Sequence, residues 1–218
     1  MALHDYQQRL LKLAMRTQAL KFGEFKLKSG RIAPYFFNTG SICSGRDLDE
    51  LGCCYADWLA DAPVAFDTLF GPAYKGISIA VAAGAALARV HHVDVGVTFN
   101  RKEAKDHGEG GVFVGSSLTR RMLLVDDVIT DGAAKLEAAA MIRAGGGELT
   151  GVLVALDRQE RGKDSQRSSV QDVAVQLGVP VFSLITLQDL LFWLEQEGKA
   201  MELQATLRYR SEYGAVVG

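Results

Sequence analysis

The segment Leu123-Leu-Val-Asp-Asp-Val-Ile-Thr-Asp-Gly-Ala-Ala134 passes from an apolar strand into a helix, with two carboxylates at the join. Leu123, Leu124 and Val125 are apolar without alternation, which suits a strand buried on both faces of a parallel sheet. Asp126 and Asp127 stand at its carboxyl end, where open α/β sheets bind their ligands. Thr130 and Gly132 lead into a helix start. Glycine permits close backbone approach there, and a helix N-terminus offers N–H groups and partial positive charge, a setting for phosphate. Two acids repel a phosphate, so their natural partners are the vicinal hydroxyls of a ribose. Taken alone, the segment also fits a strand ending in solvated acids before an N-capped helix.

Outward from this segment the same rhythm repeats. Thr68-Leu-Phe70 runs into Gly71-Pro-Ala-Tyr-Lys-Gly76 and a helix from Ile77 to Val90. Val93 to Phe99 reads as a strand, and Asn100 to Gly111 as a polar loop. A helix from Ala133 to Arg143 stops at Gly145-Gly-Gly147, a strong termination signal. Val152 to Leu156 and Val181 to Ile185 read as strands, and a helix from Leu187 to about Glu197 follows. Before residue 66 lie an amphipathic helix over 5–22, extended pieces at Phe22–Arg31 and Pro34–Asn38, and a helix from about Leu48 to Leu59. Apolar runs alternating with helices predict a doubly wound, mostly parallel sheet. We expect one domain over 1–218, with about 1–45 in a small N-terminal hood and about 66–190 in the α/β core.

Composition narrows the function. Of 218 residues, 48% are hydrophobic and 23% charged, with a net charge of −2, ordinary for a packed soluble protein. Nucleic-acid binders are usually basic, so no nucleic-acid partner is expected. Cys43, Cys53 and Cys54 show no metal-ligand spacing, and they read as reduced thiols of a cytoplasmic protein. No signal segment is apparent. The Ala/Gly-rich run Ile77–Ala88 is shorter than the ~20 residues a membrane span takes, so no membrane association is expected. Neither the Gly-x-x-x-x-Gly-Lys-Ser/Thr loop of triphosphatases nor the Gly-x-Gly-x-x-Gly of dehydrogenases occurs.

The segment 123–134 resembles the phosphoribosyl-diphosphate motif of the type I phosphoribosyltransferases. Four more segments are similar to the orotate-using branch of that family: Phe22-Gly-Glu-Phe-Lys-Leu-Lys-Ser-Gly-Arg31, Phe70-Gly-Pro-Ala-Tyr-Lys-Gly76, Asn100-Arg-Lys-Glu-Ala-Lys-Asp-His-Gly-Glu-Gly-Gly111 and Leu156-Asp-Arg-Gln-Glu-Arg-Gly162. The likeness spans about residues 20 to 190. It implies a Mg²⁺-dependent pentosyltransferase that joins orotate to phosphoribosyl diphosphate in de novo pyrimidine (UMP) biosynthesis, acting as a homodimer.

The resemblance also implies roles for individual residues. Lys28, Tyr74 and Lys75 would serve the phosphoribosyl diphosphate, as would Val128, Ile129, Thr130, Asp131, Gly132, Ala133 and Ala134 around its phosphate. Asp126 and Asp127 would take its ribose. Arg101, Lys102, Lys105 and His107 would face the leaving diphosphate from a mobile lid shared across subunits, and Lys105 and His107 with the two acids would be the catalytic groups. Orotate would be read by Lys28, Phe36, Phe37, Thr130 and Arg158, and Mg²⁺ would be held mainly through the substrate, with no protein metal ligand. Plainer readings stand beside these. Lys75 also fits a solvated turn, the 101–111 stretch a mixed-charge loop, Phe36 and Phe37 core packing, and Arg158 an ion pair with Asp157 or Glu160. Related sequences often carry threonine after the helix-entry glycine, where this chain has Ala133, preceded by Asp131. The phosphate cradle therefore lacks one hydrogen bond, worth about 0.5–1.5 kcal/mol, and Asp131 is expected to point away. A sister transferase for a purine base, or a nucleic-acid-binding regulator on the same fold, would share the motif but differ in the pocket segments or in basic charge.

Overall fold

The computed structural model describes residues 2–27, 29–105, 111–130, 132–162 and 165–215, without the side chains at 102, 104 and 105. Helix α1 (Asp5–Arg16) precedes strands β1 (Leu20–Lys26) and β2 (Ile32–Phe37), and α2 (Gly45–Ala60) follows. The remainder runs β3 (Thr68–Gly71), α3 (Lys75–His91), β4 (Gly96–Lys105), β5 (Gly111–Gly115), β6 (Arg121–Val128), α4 (Ala133–Ala144), β7 (Glu148–Asp157), α5 (Ser169–Leu177), β8 (Val181–Thr186), α6 (Leu187–Gln196) and α7 (Ala200–Tyr213). β1 and β2 form an antiparallel pair apart from the main sheet. The main sheet has the order β5-β4-β3-β6-β7-β8. Every neighbour pair in it is parallel except β4 with β5.

Strand alternation divides the core. Side chains in a strand point alternately to opposite faces. Leu123 and Val125 of β6 join Leu69, Leu153 and residues of α1, α2, α3 and α6 in one buried cluster. Met122 and Leu124 join Phe70, Val152, Val154 and residues of α4 and α5 in the other. Helices therefore cover both faces, as the unbroken apolar strands require. The same alternation continues into the acids: Asp126 follows Met122 and Leu124 toward α4, and Asp127 follows Leu123 and Val125 toward α3.

Four features differ from the sequence reading. The first helix ends at Arg16 rather than near residue 22, and Leu20–Lys26 forms β1 instead. Within the segment read as a loop from Asn100, β5 pairs back on β4 at Asn100 with Phe113 and at Lys105 with Gly111, and the register shifts between them. β5 itself was not anticipated; its five residues, with glycine at both ends, fall below the length at which alternation is legible. Helix α7 was also unforeseen. Its face toward the protein is narrow, with only Thr206 and Tyr209 buried, so its sequence reads as polar. It packs on β2 and α6.

The three cysteines occupy different environments, with Cys53 of α2 partly exposed. Cys54 is fully buried, and burial pushes its thiol up to about 12, with Arg9 opposing. Cys43 is exposed. We expect a disulfide reagent at about pH 8, near the ordinary thiol range, to modify Cys43 promptly and Cys54 only after denaturation. Prompt labelling of all three thiols would contradict the packing of α2.

Candidate active site

β6 ends in two buried carboxylates, each matched by a lysine from the helix on its own side. Asp126 and Asp127 are 7% and 6% exposed. On the α3 side, Lys75 Nζ donates to Asp127 Oδ2 at 2.6 Å. On the α4 side, Lys135 Nζ donates to Asp126 Oδ2 at 2.6 Å and to the Val128 carbonyl at 2.7 Å. The backbone contributes as well: Asp127 N–H donates to Asp126 Oδ1 at 2.9 Å and Val128 N–H to Asp127 Oδ1 at 2.8 Å. From α2, the Tyr55 hydroxyl donates to the Asp126 carbonyl at 2.7 Å, anchoring the strand end from below. Burial raises the Asp126 carboxyl above its ordinary value, Lys135 pulls it back down, and Asp127 pushes it up again.

Both loops beside the acids depend on glycine. A Cβ on Gly71 would lie 2.2 Å from the Gly76 carbonyl oxygen, so the turn into α3 closes only without a side chain. Gly132 has φ +77°, and a Cβ there would meet Val173 Cγ2 at 2.4 Å; it opens α4 in the left-handed region that other residues avoid. Asn100 at β4 accepts from the Ala73 N–H at 2.9 Å, tying the 71–76 turn to the neighbouring strand. An open groove of ≈480 Å³, lined by Tyr74, Ile77, Phe99, Asn100, Arg101 and Glu103, flanks this turn. It adjoins the acid pair without containing it.

The other residues singled out in the sequence fall into three groups. Ile129 is buried, Thr130 is exposed, and Gly132, Ala133 and Ala134 form the entry to α4 beside the acids. Tyr74 is 68% exposed and Arg101 lies in β4. Lys28, His107 and Asp131, and the side chains of Lys102 and Lys105, lie outside the described residues.

The pair Phe36 and Phe37 splits by alternation. Phe37 packs in the larger core cluster, while Phe36 is 39% exposed and stacks on Phe25 at a centroid distance of 5.6 Å. Arg158 lies over the ring of Tyr35 at 4.5 Å, and its Nε donates to Glu160 Oε1 at 2.7 Å. Adjacent residues leave a strand on opposite faces, so the rings of Tyr35 and Phe36 face apart. Arg158 does form the ion pair with Glu160 that its local sequence allows.

Sequence reasoning missed Lys135, Tyr55 and Asn100. Lys135 had a signal, since a lysine one turn into a helix over a buried strand either snorkels or meets an acid. Tyr55 and Asn100 act through long-range contacts that no local pattern announces.

A mostly parallel sheet that presents paired acids beside a glycine-opened helix is the type I phosphoribosyltransferase fold. No protein-family model matches the chain. It is 53% identical over 210 residues to the orotate phosphoribosyltransferases of Vibrio parahaemolyticus and Edwardsiella ictaluri, covering 96% of this chain and 98% of each relative. The crystal structure of the Francisella tularensis orotate phosphoribosyltransferase matches with a TM-score of 0.84 at 36% identity, over 94% of this chain and 98% of that one. The chain belongs to the orotate phosphoribosyltransferase family.

Proposed function

We propose that the chain transfers the ribose 5-phosphate group of phosphoribosyl diphosphate to orotate, yielding orotidine 5′-monophosphate and diphosphate, a step in pyrimidine synthesis. The observation that carries this is the pair of strand-end carboxylates, each with acceptor positions left beyond its lysine. Asp126 and Asp127 accept from the ribose hydroxyls, and the N-terminus of α4, entered through Thr130 to Ala134, takes the 5′-phosphate.

In the reaction the bond from the anomeric carbon to the diphosphate breaks, and a ring nitrogen of orotate forms the new bond to that carbon, its N–H proton passing to solvent. Positive charge builds on the sugar and negative charge on the leaving group. The two acids place negative potential near the sugar cation, and Lys75, Lys102, Lys105 and His107 stabilise the departing diphosphate. This is electrostatic catalysis with no covalent enzyme intermediate. Lys75 is well placed for its part: its side chain is 46% exposed against 8% for its partner Asp127. It can exchange one anion for another without leaving a buried charge behind.

Among the described residues no group of three His, Cys, Asp or Glu side chains could hold a metal ion, and both site acids already bind a lysine. A Mg²⁺ would then be held mainly through the substrate's oxygens. The ion supplies charge neutralisation on the diphosphate. For orotate, a flat anion, the readers are Lys28, the 36–37 segment, Thr130 and Arg158.

β4 supports a lid shared between two subunits of a homodimer. It leaves β3 at Phe99 and runs on to Lys105, opposite β5 at Asn100 and again at Lys105 with a register shift between them. This arm continues past the end of β3 at Gly71. Among the described residues no helix is long and apolar enough to cross a membrane, and we place the protein in the cytoplasm.

The test is a spectrophotometric assay of orotate consumption with phosphoribosyl diphosphate, with and without Mg²⁺, against uracil, adenine and hypoxanthine. Turnover of orotate alone, and only with the metal, is expected. Preference for a purine would reassign the base pocket.

A further inference from the structure

We infer that Lys135 is a positioning residue for the transfer reaction, holding Asp126 as an aimed carboxylate at the end of β6. This rests on the reading of Asp126 as a ribose acceptor and adds a residue to that site.

Among the described residues, Lys135 is the only lysine or arginine buried to this degree, at 6% exposure. Its stem enters from the first turn of α4. Its ammonium ends between Asp126 Oδ2 and the Val128 carbonyl, at 2.6 and 2.7 Å. It therefore joins the acid, the last residue of β6 and the helix whose start flanks the phosphate loop. Burying both charges is expensive, and an apolar pair of the same volume often serves stability as well or better. The ion pair is thus poorly explained by packing alone.

The hydrogen bonding explains it better. A carboxylate has about four acceptor positions. On Asp126 one Oδ2 position goes to Lys135 and one Oδ1 position to the Asp127 N–H. Each oxygen keeps acceptor capacity for a hydroxyl, with the group fixed from two directions. The groups around Asp126 are Lys135 from α4, Asp127 on its own strand with Lys75 from α3, and the Tyr55 hydroxyl from α2 on its carbonyl. Of these, Lys135 alone places a cation directly on the Asp126 carboxylate. Without it, burial and Asp127 both favour the protonated acid, and a protonated acid directs its own O–H at the sugar.

The two lysines thereby divide the work. Lys75, half-exposed, is the one that can leave its acid; Lys135, buried, is the one that stays.

The experiment compares Lys135→Met, Asp126→Asn and the double variant by steady-state kinetics across pH, with circular dichroism to establish folding. For Lys135→Met we expect KM for phosphoribosyl diphosphate to rise about tenfold and the acid limb of kcat/KM to move up by about one pH unit, the same factor in proton affinity. The double variant should be no worse than Asp126→Asn, because Lys135 acts through that acid. A folded Lys135→Met enzyme with unchanged KM and acid limb overturns the inference, as does a full additional loss in the double variant. If Lys135→Met fails to fold, the double variant, with no buried carboxylate left unmatched, carries the comparison with Asp126→Asn alone. An Asp126→Asn enzyme with unchanged KM overturns the ribose reading and Lys135 with it; a raised KM there beside a normal Lys135→Met enzyme overturns the Lys135 role only.

Discussion

Lys105→Ala is expected to lower kcat about 100- to 1,000-fold, the loss of about 2.7–4 kcal/mol that follows removal of one well-placed electrostatic contact in a transition state. The segment from Asn100 carries Arg101, Lys102 and Lys105 against Glu103, with Asp106 and Glu109 just beyond. Its net charge is therefore small, and individual placement matters more than bulk attraction. Lys105 closes β4 opposite Gly111 of β5, beyond a register shift after Asn100. Truncating it should leave the strand pairing intact, since backbone groups make that pairing. Nucleotide product carries no diphosphate, so its affinity should change little. Steady-state turnover together with product binding by calorimetry separates the two effects. An unchanged kcat would remove the lid from the mechanism, and an equal loss in product affinity would make Lys105 a binding residue of general kind.

The fold was legible wherever burial left a periodic trace. The β6 strand and the glycine-opened α4 read directly, because a strand buried on both faces must be continuously apolar and a left-handed helix entry must be glycine. The antiparallel β5 and the helix α7 did not read, since one is too short and the other too polar to show a period. At the site, the acids and Lys75 were visible as residue types at a strand end and a loop. Their pairing joins separate elements, although alternation along Met122–Asp127 already sends one acid toward α3 and the other toward α4. The segments assigned to the base are positioned by long-range contacts. The two adjacent phenylalanines face opposite sides of β2, and Arg158 is held by Tyr35 and Glu160, contacts that depend on how the N-terminal hairpin sits against the segment after β7.

Asp126→Asn and Asp127→Asn should both weaken phosphoribosyl-diphosphate binding but should differ sharply in stability. A hydrogen bond to a charged group is worth about 1.5–3 kcal/mol, so each variant should lose roughly 10- to 150-fold in affinity by calorimetry. For Asp126→Asn the cost extends to folding, because Lys135 stays buried without its counter-charge. Breaking a buried pair costs about 3–5 kcal/mol, and for a chain of this length each kcal/mol is about 2–4 °C in Tm. A fall of about 6–20 °C follows, with the protein still folded at 25 °C if its stability lies within the usual range of about 5–15 kcal/mol. For Asp127→Asn the partner Lys75 is half-exposed and can turn to water, so the stability loss should stay near the ~1 kcal/mol of a solvent-accessible pair. Wild-type affinity in Asp126→Asn would count against the ribose assignment. Equal losses of Tm in the two variants would show that the lysines do not differ as their burial requires, and that the site is not divided into one fixed and one exchangeable ion pair.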